Sequence, residues 1–338
     1  MKTKVYFTVD TENSMGGAWS DATLRPVPSE RRIHCRIDGV DHGIGWICQE
    51  LVKRNFTATF FSEVFASQVF GEEDSRRWMG YLKDQGQDVQ LHTHLNFHYY
   101  AQQLAQGTPV ARRTDDLARL DETARRRTLA EACDIFERLL GARPRVYRAG
   151  NWACSRELLS DLRQEGIVLD SSCNHVVKGK GSFDHTDLQV NVLQKVDGIF
   201  ELPVTLAQQT LPEPHLRDGL RPLDPTSMSS WELRSALEQA QKAGMEHVVL
   251  VFHCFSFVKS RDAQYRSLKA DKVVMNRFTA LLDHLVANND RFEVATLGEL
   301  ADALASDGMG ARNPTCIPQL GFARPLARKL VQIANRLT

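Results

Sequence analysis

The chain has 338 residues with 42 basic and 42 acidic side chains, so its zero net charge does not favour nucleic acid or an acidic membrane as a partner. Its 42% hydrophobic and 25% charged residues are typical of a globular protein, and no apolar run is long enough to cross a membrane. The N-terminus shows no signal peptide, which predicts a cytoplasmic location.

Predicted strands and helices alternate along the first half of the chain. A β-branched and aromatic strand over 4–9 ends at Asp10 and is followed by a polar loop to Arg32. The next predicted elements are a helix over 40–54, a strand over 56–61, a helix over 76–84 and a strand over 89–91 that leads into His92. A charged amphipathic helix then covers 117–140.

The same alternation continues in the second half. The predicted elements are strands over 145–148, 166–169, 200–204, 247–252 and 292–295, and helices over 155–162, 230–243, 276–287 and 297–304. A proline-containing loop is predicted over 211–225. The last predicted element is a basic amphipathic helix over 325–337, which could rest on a membrane surface, pack against the rest of the chain or contact a second subunit.

This pattern predicts an α/β fold with a parallel sheet. Asp10, His92, Arg148, Asp170 and His253 each lie at the C-terminal end of a predicted strand, and in a β/α barrel those ends converge on one face. Seven or eight strands favour a single distorted (β/α)7-8 barrel over an open sheet. We expect the barrel over 1–308, followed by a linker and the basic helix over 309–338.

A histidine cluster indicates a metal site. His92, His94 and His98 fall within seven residues. If the strand continues, His92 and His94 point to the same side, whereas a helix after Leu95 would instead pair His94 with His98 at i,i+4. Either arrangement brings two imidazoles to one cation, and imidazole suits zinc, nickel and cobalt. A further ligand must come from elsewhere in the chain.

Several short motifs in one order resemble the metal-dependent polysaccharide deacetylases, the family of chitooligosaccharide and peptidoglycan deacetylases. They are Phe7-Thr8-Val9-Asp10, Thr59-Phe60-Phe61, Leu91-His92-Thr93, Val146-Tyr147-Arg148-Ala149-Gly150, Asp170-Ser171-Ser172, Leu250-Val251-Phe252-His253 and Ala295-Thr296-Leu297-Gly298-Glu299-Leu300. The resemblance implies a deacetylase-type barrel in which Asp10 is the general base, Arg148 orients it and His253 is the general acid. It also implies that His92 binds a divalent metal, with zinc favoured and nickel, cobalt or manganese as alternatives.

Two positions depart from the family pattern. The usual pair of consecutive aspartates is Asp10-Thr11 here, and Glu12 is the nearest replacement for the missing metal carboxylate. The fourth residue after His92, normally the second histidine, is Asn96. Either His94 or His98 then supplies the second imidazole, or Asn96 contributes weakly, and strand geometry favours His94.

The resemblance implies a hydrolase that removes an acyl group, expected to be N-acetyl, from a sugar or an activated sugar intermediate of surface-polysaccharide or O-antigen biosynthesis. Asn151, Trp152 and Phe255 are candidate substrate contacts, since aromatic rings stack on sugars. Two alternatives stay open. One is an amidase acting on a non-sugar amide, and the other is a catalytically silent barrel that acts as a binding protein.

Overall fold

The computed structural model of the protein describes residues 2–107, 114–176, 188–211, 213, 219–307 and 316–337. The strands of these ranges are β1 (Thr3–Thr11), β2 (Thr59–Glu63), β3 (Asp88–Thr93), β4 (Val146–Ala149), β5 (Leu169–Asp170), β6 (Gln194–Val196), β7 (Ile199–Glu201), β8 (Leu206–Gln208), β9 (Leu220–Pro222), β10 (His247–His253), β11 (Val258–Ser260), β12 (Leu268–Ala270) and β13 (Phe292–Val294). The α-helices are α1 (Ser29–Arg32), α2 (Ile44–Val52), α3 (Ser67–Phe70), α4 (Glu72–Asp84), α5 (Leu95–Gln106), α6 (Glu122–Leu140), α7 (Arg156–Gln164), α8 (Ser230–Lys242), α9 (Lys272–Ala287), α10 (Leu297–Asp307) and α11 (Ala323–Leu337).

A curled sheet carries the fold. Its strand order is β10-β1-β2-β3-β4-β5-β7-β6, and every neighbouring pair is parallel except β6 with β7. The short strand β13 pairs parallel with the start of β1. The curled parallel sheet with its helical crossovers confirms the predicted β/α barrel class.

Irregular backbone connects β7, the last parallel strand of the sheet, with β10 at the other edge. After β7 the chain passes through Pro203, which has no N–H to donate to a ladder. Thr205 then takes the place of a strand: its N–H donates to the Val249 carbonyl at 3.2 Å, and its Oγ1 accepts the Val249 N–H at 2.8 Å. The Leu223 carbonyl accepts the Val251 N–H at 3.0 Å. The barrel is therefore distorted at this edge.

Several boundaries differ from the predictions for local reasons. The predicted helix over 117–140 is interrupted, because the Asp121 side chain caps α6 by accepting the Ala124 N–H. The predicted loop over 211–225 is only partly described, and its described end contributes β9, which pairs antiparallel with β8. The predicted strand over 166–169 is shorter and lies later, as β5.

The C-terminal helix α11 packs against the barrel through a buried cation. The guanidinium of Arg328, 2% exposed, donates to Glu213 at 2.8 Å and to Glu232 at 3.1 Å. Outward-facing apolar side chains on the same helix include Leu326, Leu330 and Ile333. The predicted boundary at 308/309 lies outside the described residues. Among the helices of the described ranges, none is long and apolar enough to cross a membrane.

Candidate active site

The polar side chains predicted from the strand ends come together around the end of β1. This central strand has β10 on one side and β2 on the other. Because side chains alternate along a strand, Thr8, Asp10 and Glu12 share one face of the chain. Asp10 lies opposite His253 in the register between β1 and β10. The end of β1 therefore carries two carboxylates towards the histidines of β3 and β10.

Arg148 holds Asp10 in place. The guanidinium is fully buried and donates to Asp10 Oδ1 at 2.8 Å and to Thr8 Oγ1 at 2.9 Å. Its other nitrogens donate to the carbonyl and the hydroxyl of Ser171, at 2.9 and 3.1 Å. The planar fork of an arginine fixes several acceptors at once, so this network sets the orientation of the Asp10 carboxylate.

Glu12, His92 and His94 form a potential metal-binding set. Glu12 Oε2 lies 2.8 Å from His94 Nε2 and 3.6 Å from His92 Nε2. One ligand atom from each of the three residues lies within 4.8 Å of the others. Two imidazole nitrogens and one carboxylate oxygen match the donors of three-ligand zinc sites, so the residues present fit a divalent ion.

Hydrogen bonds on the far side of each ring aim these imidazoles. His92 Nδ1 lies 2.8 Å from the Arg148 carbonyl, and His94 Nδ1 lies 2.6 Å from Asp115 Oδ2. A carbonyl accepts only from a protonated Nδ1, and this tautomer leaves Nε2 as the available lone pair. Metal-binding histidines commonly have such partners. Asp115 was not among the predicted site residues, because it is far from the histidines in sequence.

The charges of this set are coupled. Burial opposes ionisation of Glu12, but the positive charge of His94 and hydrogen bonds from both histidines hold the pKa of Glu12 well below its usual range. Burial likewise opposes protonation of His94, but the carboxylates of Glu12 and Asp115 raise the pKa of His94 well above its usual value. These carboxylates, on opposite sides of the His94 ring, therefore favour its protonated form.

The structure does not bring His98 to this set. It lies on α5, where its Nε2 contacts Gln102 at 2.8 Å and its ring packs on Phe65. The reason is that β3 stays extended through His94, the residue before α5, so His94 faces the same side as His92 and not the same helix face as His98. Asn96, at the position of the family's second histidine, instead donates its backbone N–H to Asp115 Oδ1 at 2.8 Å.

His253 lies on the other side of Asp10, at the end of β10. Its ring is partly exposed and lies tilted against the ring of Phe255, with the two ring centres 4.8 Å apart. The carboxylate of Asp224 interacts electrostatically with His253, although burial is the main influence on Asp224 and raises its pKa. A partly exposed imidazole near a carboxylate is suited to proton transfer.

Arg32 joins the site from the end of the short helix α1, in the segment predicted as a loop. It donates to Glu12 Oε1 at 3.3 Å and to the hydroxyl of Tyr265, and its guanidinium lies 3.2 Å from the centre of the Phe255 ring. Phe255 is therefore covered by an arginine on one side, which leaves less of it for a sugar than the predicted stacking contact requires. No pattern around Arg32 in the sequence indicated this position.

The other predicted substrate contacts lie across from Phe255. Asn151 donates to Asp115 Oδ2 at 3.1 Å and to Asp116 Oδ1 at 3.0 Å, so it supports the carboxylate that orients His94. The ring of Trp152 is partly exposed, and the Arg148 guanidinium lies 5.2 Å from its centre. Trp152 therefore forms one wall beside the Asp10–Arg148 pair.

Two further acids lie behind the site. Asp170 and Glu201 are register partners on β5 and β7, and both are fully buried. Burial raises the pKa of both carboxyl groups, and the charge of Asp170 and its hydrogen bond raise that of Glu201 further. Asp170 also accepts from Ser172, at 2.6 Å. These contacts give Asp170 a structural role beneath Arg148.

Comparison with known proteins gives matches among solved structures only. No protein-family model and no curated protein matches the chain. A protein of Mycobacterium smegmatis, assigned by inference as a polysaccharide deacetylase, is 19% identical over 93% of this chain and 94% of its own, with a TM-score of 0.51. That likeness decides the fold. The chain has the polysaccharide deacetylase fold.

Two other structures are more distant in shape. PuuE allantoinase matches with a TM-score of 0.49 and 13% identity, over 91% of this chain and 92% of its own. BA3943 of Bacillus anthracis, described as a pseudoenzyme of carbohydrate esterase family 4, matches with a TM-score of 0.43 and 11% identity, over 95% of this chain and 69% of its own. The conclusion on fold rests on the mycobacterial structure alone.

Proposed function

We propose that the protein is a metal-dependent hydrolase that removes an acyl group, N-acetyl in the first instance, from a sugar or an activated sugar. The observation that supports this most is the arrangement around β1, where a buried Asp10–Arg148 pair lies between a Glu–His–His donor set and His253. The set offers a place for a cation beside a carboxylate base and an imidazole acid, which is what hydrolysis of an amide requires.

Glu12, His92 and His94 would hold the ion, with zinc favoured because a set of two nitrogens and one oxygen is common for zinc. Nickel, cobalt and manganese are the alternatives to test. When bound, a divalent ion supplies Lewis acidity and lowers the pKa of water. His94 has to release its Nε2 proton to bind it, while Asp115 keeps the Nδ1 proton in place.

Asp10 and His253 each carry out one proton transfer. Asp10 accepts a proton from the attacking water, whose oxygen bonds to the acyl carbon, and Arg148 keeps the carboxylate turned towards it. The C–N bond of the substrate breaks, and His253 donates a proton to the departing nitrogen. Acetate and a free amine leave the site, so the atoms balance with water as the only co-reactant.

The cellular setting stays a prediction from the sequence. A cytoplasmic enzyme of surface-polysaccharide or O-antigen biosynthesis would act on nucleotide-linked or lipid-linked sugars before export. The exposed apolar side chains of α11 suit a peripheral contact with a membrane surface, and this is part of the proposal.

The test is an acetate-release assay with a panel of N-acetyl sugars and a panel of non-sugar amides. The metal-free protein is reconstituted with each candidate ion, and Asp10→Asn serves as the inactive control. We expect acetate from at least one N-acetyl sugar, dependent on metal and on Asp10. Hydrolysis of the amides alone would favour the amidase alternative. No turnover of any compound would favour the silent barrel.

A further inference from the structure

A basic cavity of about 620 Å³ lies between the segment that follows β10 and the C-terminal helix α11. The hairpin of β11 and β12, the start of α9 and one side of α11 form its walls. Four cationic side chains line it: Lys259, Arg261, Lys269 and Arg277. The only carboxylate among its lining residues is that of Asp271. The lining therefore carries a clear excess of positive charge.

Neutral groups hold two of these cations in place. Arg277 is 7% exposed, and it donates to the backbone carbonyls of Pro225 and Thr226 at 3.3 and 3.2 Å. Lys259 donates to the side-chain oxygen of Asn335 at 2.7 Å. Within the described part of the chain, Lys259, Arg261 and Arg277 form no salt bridge with a carboxylate. Backbone and amide oxygens fix the positions of Lys259 and Arg277, and the carboxylates of Asp271, Glu232 and Asp224 act on Arg277 without a direct ion pair.

Asp271 offsets part of this charge and interacts electrostatically with Arg277, while its oxygens also accept four neutral hydrogen bonds. Its carboxylate caps α9 by accepting the N–H groups of Val273 and Val274, at 3.1 and 3.2 Å. It also accepts both hydrogen bonds from the Asn335 side-chain amide, at 3.1 Å. Its role is to tie α9 to α11. The lining still has four cationic side chains against this one carboxylate, and this excess favours an anionic ligand.

Two segments connect the candidate active site with the cavity. On one side, Asp224 interacts electrostatically with His253. Its carboxylate also accepts the backbone N–H and the hydroxyl of Thr226, at 2.7 and 2.6 Å, and Thr226 lines the cavity. On the other side, β10 ends at His253 and the chain reaches Lys259 six residues later. Asp224 and the segment after β10 therefore link the surroundings of His253 to the lining of the cavity.

We propose that this cavity binds the phosphate or diphosphate group of the substrate, and that the substrate is accordingly a phosphate-activated acylated sugar. Several cationic donors around a pocket of this size suit the charge and the many acceptor oxygens of a diphosphate. The assignment of this group to a substrate rests on the proposed function. Anion binding by the cavity does not depend on that function.

The direct test is calorimetric titration of the full-length protein with inorganic pyrophosphate at low salt. The pocket variant is Arg261→Gln combined with Lys269→Gln, two exposed side chains whose loss leaves the core intact. The matched control is Lys53→Gln combined with Lys242→Gln, which removes two exposed charges elsewhere. We expect the pocket variant to weaken binding by roughly tenfold, and the control to bind within twofold of wild type. No binding to wild type, or equal loss in both variants, overturns the proposal.

A second measurement separates this proposal from the function it rests on. Acetate release is compared between a free N-acetyl sugar, a nucleoside-diphosphate N-acetyl sugar and a polyprenyl-diphosphate N-acetyl sugar in micelles. Preference for either diphosphate compound, lost in the pocket variant, supports the proposal and identifies the carrier. Equal rates on all three contradict the assignment of the cavity to substrate. If nothing is hydrolysed, the proposed function fails, and the pyrophosphate titration still decides whether the cavity binds anions.

Discussion

Replacing Asp115 with asparagine tests whether the hydrogen bond behind His94 prepares a metal site. Asp115 uses both oxygens: Oδ1 accepts the Asn96 N–H at 2.8 Å, and Oδ2 accepts from His94 at 2.6 Å and from Asn151 at 3.1 Å. Asparagine has the same shape but turns one acceptor into a donor. Either His94 or the Asn96 N–H then loses its acceptor, whichever way the amide turns.

Changes to such outer partners typically weaken metal affinity by about 10- to 100-fold, or roughly 1.4 to 2.7 kcal/mol. The upper part of this range is expected here, because the lost partner is charged and the His94 ring is mostly buried. The assay is a competitive titration of zinc against a fluorescent chelator at pH 7. Asp116→Asn is the matched control, because Asp116 is the adjacent carboxylate and contacts Asn151 but not His94. Equal zinc affinity in wild type and Asp115→Asn would refute the reasoning.

Four other predictions follow from the same contacts. Arg148→Met leaves Asp10 as an unpaired buried carboxylate and should lower the free energy of unfolding in urea by about 3 to 5 kcal/mol, whereas Arg148→Lys should lose less stability but still lose activity. Metal affinity should fall as pH falls, starting above pH 6.5, because the proton on His94 competes with the ion. The carboxylates of Glu12 and Asp115 outweigh the effect of burial and raise the pKa of His94. A metal affinity that is independent of pH between 6 and 8 would contradict this. Arg328→Met leaves the buried carboxylate of Glu232 without its cation, while Glu213 keeps Arg221. It should make α11 more accessible to limited proteolysis at a lowered thermal midpoint, whereas Lys53→Met, an exposed control, should not. Arg32→Ala should weaken metal binding less than Glu12→Ala does, because Arg32 touches only the outer oxygen of that carboxylate, and equal losses would show that Arg32 fixes the whole site.

The sequence predicted the positions of site residues well where these depend on the geometry of a single strand. Strand alternation was enough to favour His94 over His98, since an extended backbone through His94 places two imidazoles on one side. The position of Asp10, His92, Arg148 and His253 at strand ends followed from the parallel β/α pattern, which the structure confirms as the fold. The roles of these residues stay predictions until they are measured.

What the sequence could not predict depends on contacts between distant segments. Asp115 comes before a helix whose charged residues look like a solvated face, and only folding brings it to His94. Arg32 lies in a segment without periodicity in the sequence, which ends in the four-residue helix α1, and its place over Phe255 depends on how that segment folds back. The basic cavity combines a hairpin, two helices and the turn after Asp224, so no single stretch of sequence reveals it.

The measurement that tests the central claim most directly is metal content by elemental analysis of protein purified without chelators. The wild type is compared with His92→Ala, His94→Ala and His98→Ala. Since Glu12, His92 and His94 converge and His98 lies apart, we predict about one divalent ion per chain in the wild type and in His98→Ala, and little or none in the other two. A wild type that holds no ion after incubation with zinc, nickel, cobalt or manganese would contradict the proposed metal-dependent site. Loss of the ion in His98→Ala would contradict the ligand set.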